Sequence, residues 1–225
     1  MKSAVKSSKV NRAWLNDHVN DTYVKLAKKD GYRARAAYKL QEIDETLHLI
    51  KPGQLVVDLG STPGAWSQYV RRKLSPKAAT GAGGAAVGEL NGRIIALDML
   101  PMEPIEGVVF IQGDIGEDAV LTELTAHMQG KLADVVMSDM APNLSGISSA
   151  DAARIEYLVE LALEFAQQHL KPEGALVAKV FHGGSYDALY KRFSETFVTV
   201  KRLKPKASRD RSSETFLIGL TLKNP

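Results

Sequence analysis

Four aspartates stand where four apolar runs of the sequence stop. Asp58 closes "QLVVDL", Asp98 falls in "RIIALDM", Asp114 follows "GVVFIQG" and Asp139 follows "ADVVMS". A carboxylate at the end of a second strand accepts from both hydroxyls of a ribose diol, and Asp98 fits that role. Asp114, at the end of a third strand, can accept from an adenine amino group. A single Asp at a strand end is ordinary turn chemistry, but four in register converge on one crevice and predict a nucleotide-like ligand there. The loop after Asp58, "GSTPGAW", narrows the choice. It is neither G-x-x-x-x-G-K-[ST] nor G-x-G-x-x-G, so neither an ATP phosphate cradle nor a dinucleotide pyrophosphate site is supported. Gly60 and Gly64 permit close backbone approach. A fifth residue stands out for a different reason: Lys179 lies inside the apolar run "ALVAKVF", a costly place for a charge.

These residues need elements to hold them. Apolar spacing predicts a helix over "ARAAYKLQEIDETLHL", stopped by "KPG" at 51–53. A strand over "QLVVDL" is followed by a helix from Trp66 to Leu74. Strands over "RIIALDM" and "GVVFIQGD", a helix at about 117–128 and a strand over "ADVVMS" come next. A long helix at about 151–170 carries Ile155, Leu158, Val159, Ala162, Leu163 and Ala166 on one face. After it come a strand over "ALVAKVF", a helix over "SYDALYKRFSE", and two closing strands with no helix between them. Alternating strands and helices imply a parallel sheet covered on both faces. The closing pair lacks a crossover and is therefore antiparallel. This α/β pattern, a mostly parallel seven-stranded sheet ending in an antiparallel hairpin, matches by analogy the Rossmann-like fold of methyltransferases dependent on S-adenosyl-L-methionine (SAM). SAM has no phosphate, which suits the first loop. The Asp58–Asp98 separation exceeds the usual spacing of about 20 residues. The small, Gly/Ala-rich stretch 75–92, read as a flexible surface insertion, accounts for the excess.

The 225 residues suit one domain with a full core, and no apolar run reaches the roughly 20 residues that span a bilayer. The N-terminus has no apolar block behind its basic residues, so no signal peptide is expected. There are no cysteines, which excludes disulfides, thiolate zinc sites and a thiol nucleophile, and a cytoplasmic location is expected. Residues 1–39 hold ten Lys/Arg against three Asp, and "KRLKPKASRDR" at 201–211 holds six basic residues against one acidic. Two basic segments on a near-neutral body suggest a polyanion partner. The organisation read from this is a basic arm over 1–30 and a single domain over 31–225.

Six stretches strongly resemble the FtsJ-type ribosomal RNA large subunit methyltransferases, the RlmE family: "YRARAAYKLQEID", "KPGQLVVDLGSTPGAWSQYV", "GRIIALDMLPMEPIEGVVFIQGDI", "VVMSDMAPNLSG", "YLVELALEFA" and "VAKVFHG". The resemblance runs from about Gly31 to Leu222. It implies SAM as cofactor and a Lys-Asp-Lys-Glu tetrad falling on Lys39, Asp139, Lys179 and Glu214. It implies SAM contacts at Gly64, Trp66, Asp98, Asp114 and Asp139. The implied reaction is methyl transfer to the ribose 2′-hydroxyl of a uridine in the A-loop of 23S rRNA, within the 50S subunit. No metal and no membrane are implied, and a monomer is expected. Two departures stand out: "STPGAW" replaces the family's common "AAPGGW", so that Ala65 adds a methyl group, and Ser213 precedes Glu214 where some members have Arg.

The chemistry has uses for these residue types. A 2′-hydroxyl must be aligned for in-line attack and must lose its proton. A lysine accepts that proton only as a neutral amine, a form favoured by burial and by a neighbouring cation. Lys179 is accordingly the expected proton acceptor, with Lys39 positioning the hydroxyl or its phosphate, and Asp139 and Glu214 fixing the amines; a charged, orienting Lys179 is the alternative. Taken singly, Lys39 reads as a surface lysine, Asp139 as a turn cap and Trp66 as core packing. The basic arm, Arg33, Arg35 and the 201–211 cluster are expected to face RNA phosphates. Rival readings are a 2′-O-methyltransferase of tRNA or capped mRNA, and a non-catalytic RNA-binding ribosome assembly factor.

Overall fold

The computed structural model describes residues 21–75, 79–80, 86–142 and 148–225. Residues 1–20 of the basic arm, 76–78 and 81–85 of the insertion, and 143–146 of the "SDMAPNLSG" motif lie outside the described residues.

In chain order the elements are α1 (Thr22–Asp30), α2 (Ala36–Leu47), β1 (Leu55–Leu59), α3 (Ala65–Lys73), β2 (Ala79–Thr80), β3 (Ala86–Val87), β4 (Arg93–Asp98), β5 (Val108–Gln112), α4 (Asp118–Met128), β6 (Ala133–Ser138), α5 (Ser148–His169), β7 (Leu170–Phe181), α6 (Tyr186–Thr196), β8 (Phe197–Leu203) and β9 (Glu214–Leu222). Seven strands form one sheet, as the apolar runs predict, and their order is β5-β4-β1-β6-β7-β9-β8. β9 runs antiparallel to both of its neighbours, and the other pairings are parallel. The chain builds outward from β1 to β4 and β5, then returns to β6 on the other side. This reversal makes the carboxyl ends of β1 and β6 the switch point at which such sheets bind ligands.

Side-chain alternation divides the core into two layers. Val57, Leu59, Ala178 and Val180 pack with Leu124 of α4, Val159 and Leu163 of α5 and Phe193 of α6. Val56, Val177 and Phe216 pack on the opposite face with Leu40 and Ile43 of α2 and Trp66 and Val70 of α3. Lys179 therefore shares the α2 face with Val177, two residues away, and Glu214 shares it with Phe216.

Helix α1 has no counterpart in the apolar spacing. Its signals are caps: Asp21 accepts from the amides of Tyr23 and Val24, and Gly31 ends the helix at φ 71°. Ala27 packs it against Tyr38 and Ala207. Within the 75–92 insertion β2 and β3 pair antiparallel, and the exit is pinned by the Asn91 amide donating to the Leu74 carbonyl at 2.9 Å.

Candidate active site

Three strand ends meet at the switch point. Asp58, at the end of β1, is fully buried and accepts from the Ser67 hydroxyl at 2.6 Å. Burial, reinforced by the charges of Asp139 and Asp98 and opposed by Ser67, pushes its carboxyl up to about 7. Asp98 ends β4 and fixes the loop after β1: one oxygen accepts from the Thr62 amide at 2.8 Å, the other from the Leu100 amide at 2.8 Å. Each oxygen keeps a lone pair for a ligand. Asp139 follows β6 and is tied to β1 by its amide, which donates to the Leu59 carbonyl at 3.1 Å. Asp58 Oδ1, Ser61 Oγ and Asp139 Oδ1 are buried with no hydrogen-bond partner among the described residues. Buried oxygens without partners are uncommon, since leaving each one so costs about 1–3 kcal/mol. Asp139 Oδ1 is paired with the Lys179 ammonium, which leaves Asp58 Oδ1 and Ser61 Oγ open. Beside a concentration of carboxylates they fit a ligand that carries positive charge and hydrogen-bond donors.

The loop between β1 and α3 is built for close approach. Gly64 caps α3 at φ 102°, and a Cβ there would lie 2.8 Å from Ile105 Cδ1 and 2.9 Å from Met102 Sδ. A Cβ on Gly60 would lie 2.8 Å from the Met140 backbone, so the ends of β1 and β6 touch. The first turn of α3 leaves amides without intrahelical acceptors at this edge.

On the α2 side of the switch point the two lysines sit in pairs. Lys179 Nζ lies 3.1 Å from Asp139 Oδ1 and donates its hydrogen bond to the Asp139 carbonyl at 2.5 Å. Lys39 Nζ, from α2, lies 2.7 Å from Glu214 and donates to Oε2. Ser208 Oγ donates to Glu214 Oε1 at 2.8 Å. Burial alone would raise the Glu214 carboxyl. The Lys39 charge and hydrogen bond, the Ser208 hydroxyl and the Lys179 charge outweigh it and hold the group below the ordinary carboxylate range. The β7–β9 register sets Lys179 opposite Phe216 and Glu214 opposite Phe181, so Lys179 and Glu214 are diagonal neighbours on one face and the two pairs form one cluster. The structure thus brings Lys39, Asp139, Lys179 and Glu214 together, with Asp58 and Asp98 beside Asp139. Asp114 stands apart at the end of β5, where its Oδ1 accepts from the Gly116 amide at 2.9 Å.

Several sequence expectations change here. The Trp66 side chain is core: its indole N–H donates to the Ala36 carbonyl at 2.8 Å and its ring packs on Phe216. Only its backbone amide, in the first turn of α3, is left to contact a ligand. The Ala65 methyl is likewise buried in the core. Arg33 is not free for phosphate, since its guanidinium donates to the carbonyls of Pro63, Glu103 and Pro104 at 3.0, 2.6 and 2.8 Å and straps the first loop to the 103–104 segment. Arg35 pairs with Asp21 and donates to the Ala207 carbonyl, so it too is spent inside the chain. In the 201–211 cluster, Lys201, Arg202, Lys204 and Lys206 are exposed, and Arg202 lies over the Tyr190 ring at 3.8 Å. Sequence reasoning missed Ser61, Ser67 and Ser208. Only Ser67 had a signal, one helical turn into α3 beside the strand-end Asp58.

A cavity of about 780 Å³ opens at the opposite, amino-terminal edge of the sheet, lined among others by Gly53, Arg93, Asp134 and Lys171. Lys171 and Asp134 pair there at 2.6 Å, and none of the strand-end acids reaches it. Among the described residues no cluster of three or more His, Asp or Glu side chains is placed to hold a metal, and no helix is long and apolar enough to cross a membrane.

Comparison with known proteins gives the family and the fold. The family model described as FtsJ-like methyltransferase matches residues 32–222. The chain is 82% identical over 223 residues to ribosomal RNA large subunit methyltransferase E of Albidiferax ferrireducens, covering 99% of each chain. It is 67% identical over 224 residues to the protein of the same name from Leptothrix cholodnii, covering 100% of this chain and 96% of that one. Among solved structures, a candidate ribosomal RNA methyltransferase from Plasmodium falciparum superimposes with a TM-score of 0.72 at 28% identity, covering 86% of this chain and 100% of that one.

Proposed function

The chain belongs to the FtsJ-like methyltransferase family, and from that premise we propose that it methylates the ribose 2′-hydroxyl of a uridine in the A-loop of 23S rRNA, in the large ribosomal subunit, with SAM as donor. The observation that carries the reading is the junction at Asp139. There the lysine pairs that could manage a hydroxyl proton adjoin the acidic crevice that could hold a cationic donor. The names of the relatives that match nearly end to end support the large-subunit target.

The cofactor half comprises Gly64, the backbone of Trp66, Asp98, Asp114 and Asp139. Bound there, SAM supplies a methyl group already activated by its sulfonium. With SAM bound, Asp98 would accept from the ribose hydroxyls, Asp114 from the adenine amino group, and Asp139 would provide negative charge to a cation. On the acceptor side, Lys179 would take the proton of the 2′-hydroxyl as the oxygen gains the methyl group, with S-adenosylhomocysteine as the leaving group. Asp139 orients Lys179 through the carbonyl and carboxylate contacts. Lys39, held by Glu214, positions the hydroxyl or its neighbouring phosphate. All four side chains come from one chain, so a monomer suffices, and the reaction belongs in the cytoplasm where large subunits are assembled. RNA docking falls to the exposed basic residues of 201–211 and to the basic arm.

The test incubates the protein and tritiated SAM separately with 50S subunits, 30S subunits, tRNA and capped RNA. Label confined to 50S subunits is expected. Label confined to tRNA or capped RNA, or no transfer to any of them, overturns the reading.

A further inference from the structure

Arg35, Lys39 and Glu42 stand at positions i, i+4 and i+7 along α2, and this spacing places them on one stripe of the helix. All three hold the same stretch of chain, the one that leads into Glu214. Arg35 donates to the Ala207 carbonyl. Glu42 accepts from the Lys206 amide at 2.6 Å and from the Ala207 amide at 2.9 Å. Lys39 holds Glu214 itself. Between these grips lies Ser208, only 4% exposed, whose hydroxyl donates to Glu214 Oε1 at 2.8 Å. The outer side of the stripe is closed by α1: Asp21 pairs with Arg35, and the Tyr23 hydroxyl donates to Glu42 Oε1 at 3.3 Å. Two consecutive amides converging on one carboxylate, with a guanidinium on the carbonyl that follows them, leave the 206–208 segment one height above α2.

We infer that Glu42 and Arg35 are positioning residues for methyl transfer: they seat the 206–208 segment on α2, so that the Ser208 hydroxyl orients Glu214 and, through it, Lys39. The inference rests on the site reading above. It assigns Arg35 to alignment within the chain and not to an RNA phosphate. Its consequence is that damage at Glu42, which touches no reacting atom, lowers turnover more than it weakens substrate binding.

The test compares Glu42→Ala, Glu42→Gln and Ser208→Ala with the wild-type full chain on 50S subunits, measuring kcat, KM for the subunit and SAM affinity. Misplacement of about 1 Å costs roughly hundredfold in rate, so a drop of about tenfold in kcat is expected for Glu42→Ala. SAM affinity should stay within about twofold of wild type, and KM for the subunit should rise by less than kcat falls. Glu42→Gln keeps one acceptor oxygen and should recover part of the loss. A readout independent of turnover is the Glu214 carboxyl, followed by NMR titration: in Glu42→Ala and Ser208→Ala it should move up toward the ordinary range. Should Glu42→Ala not fold, Ser208→Ala removes a single hydrogen bond and carries the same readouts. A raised KM with intact kcat, or an unmoved Glu214 titration, overturns the inference. Wild-type protein that methylates none of the substrates while Glu214 still shifts in the variants would instead overturn the reading of the site.

Discussion

At the end of β1, buried oxygens of Asp58 and Ser61 have no hydrogen-bond partner among the described residues. Next to them, on the α2 side, Lys39, Glu214 and Lys179 each contact an oppositely charged group within 3.1 Å. One region is acidic and incomplete, the other paired and complete. The difference teaches how the work is divided. A region short of donors and rich in carboxylates gains from a cationic ligand. Prearranged ion pairs instead hold groups in place for a reaction and need no ligand to be ordered. Asp139 belongs to both regions, because its carbonyl and Oδ1 face the Lys179 ammonium while its charge acts on the buried Asp58 carboxyl.

The comparison breaks most visibly at Lys179. A general base contributes about 10²- to 10⁴-fold, so Lys179→Ala should lose that much turnover while SAM affinity, measured by calorimetry, stays within about twofold. Comparable losses in both would mean that the two regions are one.

The two regions should also respond to pH with opposite sign. The folded Asp58 carboxyl, at about 7, lies above its unfolded value of about 3.9. The folded state therefore binds the extra proton between those values. Its contribution is fully present below about pH 4 and is lost as pH rises through about 7, a change of a few kcal/mol at about 1.4 kcal/mol per pH unit. Glu214 is lowered, so its contribution is present above its unfolded value and is lost as pH falls through the folded one. Urea midpoints measured from about pH 3 to about pH 8 should show both slopes. Asp58→Asn should flatten the neutral slope alone, and a slope that survives it would place the titration elsewhere.

A smaller effect sharpens the cofactor half. Asp98→Ala removes the acceptor of the Thr62 and Leu100 amides together with the oxygens offered to a ribose diol. Hydrogen bonds to charged groups contribute about 1.5–3 kcal/mol, so SAM should bind roughly tenfold to a hundredfold more weakly. With SAM saturating, turnover should be near normal; a turnover loss that saturation cannot restore would deny the division.

Much of this arrangement is legible in the order of the residues. The apolar runs locate the seven strands, and the acids that end them mark the crevice, because strand period and strand ends are local properties of sequence. Other features depend on partners far away. Lys39 and Glu214 are 175 residues apart, and their meeting depends on the register that sets Glu214 opposite Phe181 on the α2 face. Arg33 and Arg35 read as part of a basic surface because nothing local shows that backbone carbonyls of distant loops consume their donors. Helix α1 leaves little apolar periodicity because its buried face is as small as Val24 and Ala27, although its Asp21 and Gly31 caps are local signals. Trp66 is legible both ways, as core and as ligand contact; the side chain is core, and only the backbone remains for the ligand.

The central claim is that the methyl group goes to a ribose oxygen of large-subunit RNA. Its most direct measurement is alkaline hydrolysis of 23S rRNA from 50S subunits labelled with tritiated methyl by this protein. A 2′-O-methyl group blocks cleavage of the adjoining phosphodiester, so the account predicts all label in one alkali-resistant dinucleotide that begins with uridine. Label released in mononucleotides would place the methyl group on a base and contradict it.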